Sequence, residues 1–289
     1  MKLPLIDYAS PRSVAEAVNL LALHDGDAKI VSGGQSLMPM LAFRLAAPKL
    51  LVDLRHVPEI DRITIDDNGV ELGAKVLWRG IEVSRELQTA HPLLVAATKH
   101  IAHYQIRNRG TVGGSLAHAD PAAELPAVAL TCDAKIVVVG PAGTRSIPAA
   151  EFFVGPLLTT LLSSEIIIAL RLPHWPRQRR YGFEEFARRQ GDFALAGVAL
   201  YYDEDEDGRI RNPHIGAFGV GDTPLRLATA EQELDGMKPD TSVFARAVQA
   251  GIAAVDPRSD IHADARYRRA LLGTMLDRAL QSAVGRHLA

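Results

Sequence analysis

Cysteine is nearly absent: the 289 residues contain one, Cys132. A lone thiol excludes an intrachain disulfide, and it excludes a cysteine-ligated iron–sulfur cluster or cysteine-type zinc site built by this chain alone. Cys132 closes an apolar run between Leu130 and Ala134, the setting of a buried inert thiol rather than a nucleophile. An excess of charge is missing as well. The formal net charge is −2 and the pI is near 6.6, so the basic footprint of a nucleic-acid-binding domain is not there.

No apolar run reaches the ~20 residues that a membrane helix needs. The most apolar stretch, 152–172, is interrupted by Gly155, Pro156, Ser163, Ser164 and Glu165. Pro4 and Asp7 stand where a secretion signal would carry its apolar region, which predicts a cytoplasmic chain. Several enzyme signatures are also missing. There is no Walker A sequence and no Gly-x-Ser-x-Gly elbow, and the glycines of Gly216-Ala217-Phe218-Gly219-Val220-Gly221 have the wrong order for a Rossmann fingerprint. No repeat or low-complexity tract occurs. The length suggests about two domains, and 47% hydrophobic with 23% charged residues is ordinary for a globular enzyme.

What the chain does have is a matched pair of glycine loops, Ser32-Gly33-Gly34-Gln35-Ser36 and Thr111-Val112-Gly113-Gly114-Ser115. The first follows an apolar run, and neither carries a charged side chain. Successive positions without a β-carbon let backbone N–H groups converge on an anion, each charge-assisted bond contributing about 1.5–3 kcal/mol. A single Gly-Gly pair more commonly marks a tight turn; two in one chain point to one diphosphate held from two sides.

Ser13 and Glu16 form a capping-box pattern ahead of the helical face Val14, Ala17, Val18 and Leu21. Strands are predicted at 28–31 and 49–54, giving a small α/β lobe. The hairpin signal Asp66-Asp67-Asn68-Gly69 opens a second lobe, with a strand through Val70, Leu72 and Ala74 and a helix over 78–89. A further helix is expected from His91-Pro92 to about Gln105, and another over 122–130 with Asp120 as its N-cap and Pro121 in its first turn. Strands at 135–139 and 164–172 complete this lobe. Pro173-His174-Trp175-Pro176 is the predicted boundary. Beyond it, strands at 194–202 and 210–220 flank an acidic hairpin, Asp203 to Gly208, and helices follow near 227–234, 241–255 and 264–287. This reads as an antiparallel sheet plus a helical bundle.

His100 and His103 are three apart on a predicted helix but lack a third metal ligand at suitable spacing, so a structural pair is the preferred reading. His118 follows the second loop closely. Arg177, Arg179, Arg180, Arg188 and Arg189 read by default as solvated arginines around the linker.

Three segments carry a family resemblance: Lys29 to Leu37 (Lys-Ile-Val-Ser-Gly-Gly-Gln-Ser-Leu), 106–126 (Ile-Arg-Asn-Arg-Gly-Thr-Val-Gly-Gly-Ser-Leu-Ala-His-Ala-Asp-Pro-Ala-Ala-Glu-Leu-Pro) and 188–194 (Arg-Arg-Gln-Gly-Asp-Phe-Ala). Together with Gly219-Val220-Gly221 and Thr223-Pro224, in this order and spacing, they resemble the FAD-binding (medium) subunit of the molybdenum hydroxylases, the group of carbon monoxide dehydrogenase and xanthine dehydrogenase. The resemblance covers essentially the whole chain.

It implies an α+β architecture. An FAD-binding domain over 1–175, of the PCMH type found in vanillyl-alcohol oxidase and with subdomains of about 1–58 and 59–175, precedes a small C-terminal domain over 176–289. It implies an FAD-containing electron-transfer subunit of an oxidoreductase, with a molybdopterin cofactor on a large partner subunit and 2Fe-2S clusters on a small one. The three chains would assemble as a dimer of heterotrimers.

By the same resemblance, Lys29, Ile30, Val31, Ser32, Gly33, Gly34, Gln35, Ser36 and Leu37, with Thr111, Val112, Gly113, Gly114, Ser115 and His118, belong to the FAD site. Glu124 is placed near the ribose and adenine, Ile167 near the adenine, and Asp192 with Phe193 beside the isoalloxazine. No catalytic side chain and no metal ligand is expected. The chain departs from common family patterns at Ser115, where asparagine is frequent, at Glu185, where lysine is frequent, and at Phe193, where some members have tyrosine. Two other readings are a stand-alone FAD oxidase of the vanillyl-alcohol oxidase type and a binding module that has lost its flavin.

Overall fold

The computed structural model describes residues 3–285. In the first lobe, strands Asp7–Ala9, Leu50–Asp53 and Ala28–Val31 form a parallel sheet with Leu50–Asp53 in the centre. Helix Val14–Leu23 covers it with Ala17, Val18 and Leu21, the face that helical spacing predicts. Ser13 caps this helix by accepting the Glu16 N–H at 3.1 Å, while the Glu16 carboxylate accepts the Arg12 N–H at 2.8 Å. The reciprocal bond of the capping box has moved one residue outward.

The second lobe is a five-stranded antiparallel sheet, ordered Ile63–Asp66, Gly69–Gly73, Ile166–Pro173, Lys135–Gly140 and Gly143–Pro148. Helices Pro92–Thr98, Val112–His118 and Glu124–Thr131 pack here. Two expected helices are shorter than periodicity suggested. The 78–89 helix is split at Ser84, whose hydroxyl accepts the Leu87 N–H at 3.1 Å and starts a new helix, Arg85–Ala90. The 91–105 helix stops at Thr98, because Ala102 adopts φ +44°; a single turn, Tyr104–Arg107, follows. Asp120 is not an N-cap: it accepts the Ala122 N–H at 2.8 Å in a tight turn, and the helix begins at Glu124.

After Pro173 the chain builds a four-stranded antiparallel sheet, Arg180–Phe186, Ala196–Glu204, Ile210–Phe218 and Leu225–Arg226. One face of this sheet is covered by helices Ala228–Leu234, Thr241–Ala253 and Ala265–Val284. The expected end of the last helix, Arg286 to His287, lies outside the described residues. The other face, with Phe183, Ala199, Tyr201 and Phe218, joins the hydrophobic core of the second lobe. Contact there is close: a β-carbon on Gly216 would lie 2.0 Å from Thr131 Oγ1.

The arginines of the linker are not simply solvated. Arg179 makes two bonds to the Asp203 carboxylate at 2.9 and 3.0 Å and lies over the rings of Tyr201 and Trp175, at 4.1 and 5.2 Å. Arg180 pairs with Glu204 at 2.9 Å.

Candidate functional site

The two glycine loops come together. They line a cavity of about 1280 Å³ between the lobes, which the C-terminal domain borders through the Arg188–Leu195 segment, Gly219 and Arg268. Every residue assigned to the site by resemblance lines this cavity except Val112. Val112 is fully buried in the core of the second lobe and anchors the loop from behind.

The first loop is open to a ligand. It leaves the parallel strand Ala28–Val31, turns at Gly34 with φ +70°, and enters the short helix Leu37–Ala42. Among the described residues, no acceptor takes the backbone N–H groups of Gly33, Gly34, Gln35 or Ser36. The Gln35 side chain donates back to the Gly33 carbonyl at 2.9 Å and stiffens the turn. Unpaired amides converging in a loop without charged side chains form a nest for anionic oxygens.

The second loop differs from expectation. Its amides are occupied: Val112 donates to the Val76 carbonyl at 3.0 Å, Gly113 to Ala74 at 2.8 Å, and Ser115 to Thr111 at 3.1 Å. The Gly114 N–H donates to Thr111 Oγ1 at 3.2 Å. The second loop therefore has no free amide cradle of the kind inferred from sequence, and its glycine pair serves close approach. A β-carbon on Gly113 would lie 2.7 Å from that of Ala74, while Gly114 and the Ser115 side chain remain accessible at the cavity wall.

The loops also touch. A β-carbon on Gly33 would fall 2.2 Å from the Arg109 carbonyl oxygen and 2.9 Å from Gly110 Cα. Behind that contact, Arg107 donates to the carbonyls of Ile101 and Ala102, both at 3.0 Å, and fixes the turn that leads into the second loop.

Around the cavity, Glu165 is buried and accepts from Arg145 Nε at 2.7 Å, Arg145 Nη2 at 2.8 Å and the Leu162 N–H at 2.8 Å. The Arg145 bonds hold its carboxyl below the usual range in spite of burial. Arg268, also buried, donates to the carbonyls of Leu195 and Gly219 at 2.8 Å and to Asp260 at 2.7 Å, tying three wall segments together. Arg107 and Arg268 were not singled out in the sequence, because nothing local distinguishes a buried arginine that satisfies carbonyls from a solvated one. Phe193 stands at the rim, 70% exposed, on a loop in which Gly191 has φ +86° and lies against the backbone of Ala102.

Glu124 lines the wall, and burial raises its pKa to about 7, with Asp120 adding to the shift. Glu185, on strand Arg180–Phe186, is raised to about 9 by burial and by the Glu124 charge. His100 packs on Phe183 at 4.9 Å, His103 precedes the turn Tyr104–Arg107, and no group of three or more His, Cys, Asp or Glu side chains able to hold a metal occurs among the described residues. Among those residues, no helix is long and apolar enough to cross a membrane.

Comparison with known proteins decides the family. Residues 4–175 match the family described as FAD binding domain in molybdopterin dehydrogenase, and residues 181–283 match the CO dehydrogenase flavoprotein C-terminal domain. The chain belongs to the FAD-binding medium subunits of the molybdenum hydroxylases. It is 41% identical over 286 residues to the nicotine 6-hydroxylase medium subunit of Paenarthrobacter nicotinovorans, covering 99% of this chain and 100% of that one. It is 40% identical to the alpha subunit of the 6-hydroxypseudooxynicotine dehydrogenase complex of the same organism, covering 99% and 97%. Among solved structures, a chain of carbon monoxide dehydrogenase from Hydrogenophaga pseudoflava superposes with a TM-score of 0.96 at 36% identity, covering 99% of this chain and 100% of that one. The α+β fold of the medium subunit and its FAD-binding domain are thereby established, and the chain is a flavoprotein subunit of a molybdopterin-dependent oxidoreductase. Full coverage of these subunits favours this reading over a stand-alone oxidase.

Proposed function

We propose that this chain is the electron-transfer subunit of a cytoplasmic complex. It takes electrons from iron–sulfur clusters on a small partner subunit and passes them to an external acceptor, while a large partner carries the molybdopterin cofactor and oxidises the substrate. A dimer of heterotrimers is the proposed assembly. FAD supplies the chemistry, accepting electrons singly and releasing them in pairs, and the protein positions and tunes it. The observation that carries this reading is the run of unpaired amides from Gly33 to Ser36, facing a cavity large enough for a dinucleotide.

In this reading the first loop binds the diphosphate through backbone N–H groups, and Gly114 and Ser115 of the second loop border the same cavity. Ile167, buried at the base of the cavity, borders the adenine, and Asp192 with Phe193 borders the isoalloxazine. Phenylalanine at position 193 shields a ring face by packing and offers no hydroxyl for hydrogen bonding. We assign the FAD-binding domain to residues 1–175 and the C-terminal domain to 176–289. The purified chain is expected to carry bound flavin visible by absorbance, and a tagged chain to retrieve both partners from cells that make them. A chain that binds no FAD, or that elutes alone from such cells, would overturn the proposal.

A further inference from the structure

The single helical turn Tyr104–Arg107 is flanked by two backbone contacts, each made to a glycine of a cavity-lining loop. After the turn, the Arg109 carbonyl abuts Gly33 of the first loop. Ahead of it, the Ala102 carbonyl abuts Gly191: a β-carbon on Gly191 would lie 2.8 Å from the Ala102 oxygen. Both partners of this second contact hold left-handed backbone, Gly191 at φ +86° and Ala102 at φ +44°. An alanine keeps that conformation only where its surroundings dictate it. Gly191 leads directly into Asp192 and Phe193, and Ala102 lines the cavity together with all three.

One side chain braces the turn between these contacts. Arg107, 14% exposed, donates from Nη1 to the carbonyls of Ile101 and Ala102 at 3.0 Å each, and from Nε to the Glu82 carboxylate at 3.4 Å. Glu82 lies on helix Trp78–Val83 and also accepts from Arg79 at 3.1 Å. The Ala102 oxygen gripped by Nη1 is thus the one against which Gly191 rests. Arginine suits the task because its donors sit on separate nitrogens of a rigid plane, so carbonyls and carboxylate are satisfied together.

We propose that Arg107 is a positioning residue that couples two parts of the cavity. It holds Ala102 against Gly191 and so sets the segment that carries Asp192 and Phe193, while the turn it braces delivers Arg109 against Gly33. Without its bonds Ala102 is free to leave the left-handed region, and the Gly191–Phe193 edge loses its backstop. The use of this link rests on the flavin reading, in which Gly33 stands at the diphosphate and Phe193 at the isoalloxazine. There, one arginine acting through backbone sets where the ring lies relative to the phosphates. The mechanical link itself does not depend on that reading.

Hydrogen–deuterium exchange of the full chain, read by mass spectrometry on peptides covering 99–106 and 188–194, tests the link with or without bound flavin. Arg107→Met keeps the length of the side chain and removes every donor. It is expected to speed exchange at 188–194 severalfold and to leave 160–165, held by Arg145 and Glu165, unchanged. Gly191→Ala leaves Arg107 intact and is expected to speed exchange at 99–106 severalfold from the other side of the contact. At 99–106 the double variant is expected to match the faster single variant, because both changes break one contact. At equal flavin occupancy, the visible circular dichroism of the bound flavin is expected to change in Arg107→Met. Unchanged exchange at 188–194 in Arg107→Met, additive effects in the double variant, or unaltered flavin dichroism would overturn the proposal. If Arg107→Met does not fold, Gly191→Ala decides, and unchanged exchange at 99–106 overturns it. The expected exchange pattern in a chain that binds no FAD would uphold the link and overturn the flavin reading instead.

Discussion

Gly33 lies against Arg109 so closely that a β-carbon would intrude to 2.2 Å from the Arg109 carbonyl oxygen. Two loops more than 70 positions apart in sequence are thus wedged backbone to backbone at the cavity. The first loop cannot carry a side chain at Gly33 without moving the segment that leads into the second.

Gly33→Ala is therefore expected to abolish FAD retention and to cost about 1–3 kcal/mol of stability, the scale of overpacking. Gly114→Ala meets only Thr111 Oγ1, at 2.8 Å, and should lose less than Gly33→Ala on both counts. Flavin absorbance after gel filtration and thermal denaturation measure the two effects. Equal retention in both variants would contradict the wedge.

The Arg145–Glu165 pair should show as acid sensitivity. The folded-state pKa of Glu165 is held below its ordinary 4.5, chiefly by the Arg145 hydrogen bonds. Its contribution is present above the unfolded pKa and fades as pH falls through the folded one. Glu165→Gln is expected to cost about 1–2 kcal/mol at pH 7, discounted for the exposure of Arg145, with the gap closing below the folded pKa. Denaturation midpoints of the two proteins from pH 7 to pH 3 test this.

Cys132 should resist modification in the native protein. Burial pushes its pKa up to about 12, so almost no thiolate exists at pH 8. Iodoacetamide is expected to label the chain in denaturant and to leave the folded chain unlabelled over the same interval, as mass spectrometry would show.

Arg268 is expected to hold the cavity wall through geometry rather than charge. Arg268→Lys keeps a cation but cannot reach Leu195, Gly219 and Asp260 together, so it should lose about 2 kcal/mol and weaken FAD retention. Wild-type retention in the lysine variant would contradict this.

Much of the cavity was legible because glycine pairs and family segments are local signals: Ser32 to Ser36, Thr111, Gly113 to Ser115, Ile167 and Phe193 all line it. What Gly113 does was not legible, since its tight contact with Ala74 depends on how a helix start meets a strand. The continuous 78–89 and 91–105 helices were misread for a related reason: periodicity reports a face, while the Ser84 cap and the left-handed Ala102 are backbone decisions. Strand Arg180–Phe186 was hidden by Arg180 and the preceding Arg179, which read as solvent-facing until Glu204 and Asp203 are brought opposite them. Glu185 appeared only as a departure from a family pattern; its isolation becomes visible when its strand buries the side chain with Oε2 unpartnered and His100 Nδ1 no closer than 3.9 Å.

The C-terminal sheet, clad by its own helices on one side, lends Phe183, Tyr201 and Phe218 to the interior of the second lobe on the other. A hinge cannot run through such a shared interior, so the C-terminal wall of the chamber is fixed to the second lobe. What freedom the chamber has lies along its border with the first lobe, which keeps a core of its own, and in rim segments such as the exposed Phe193 loop.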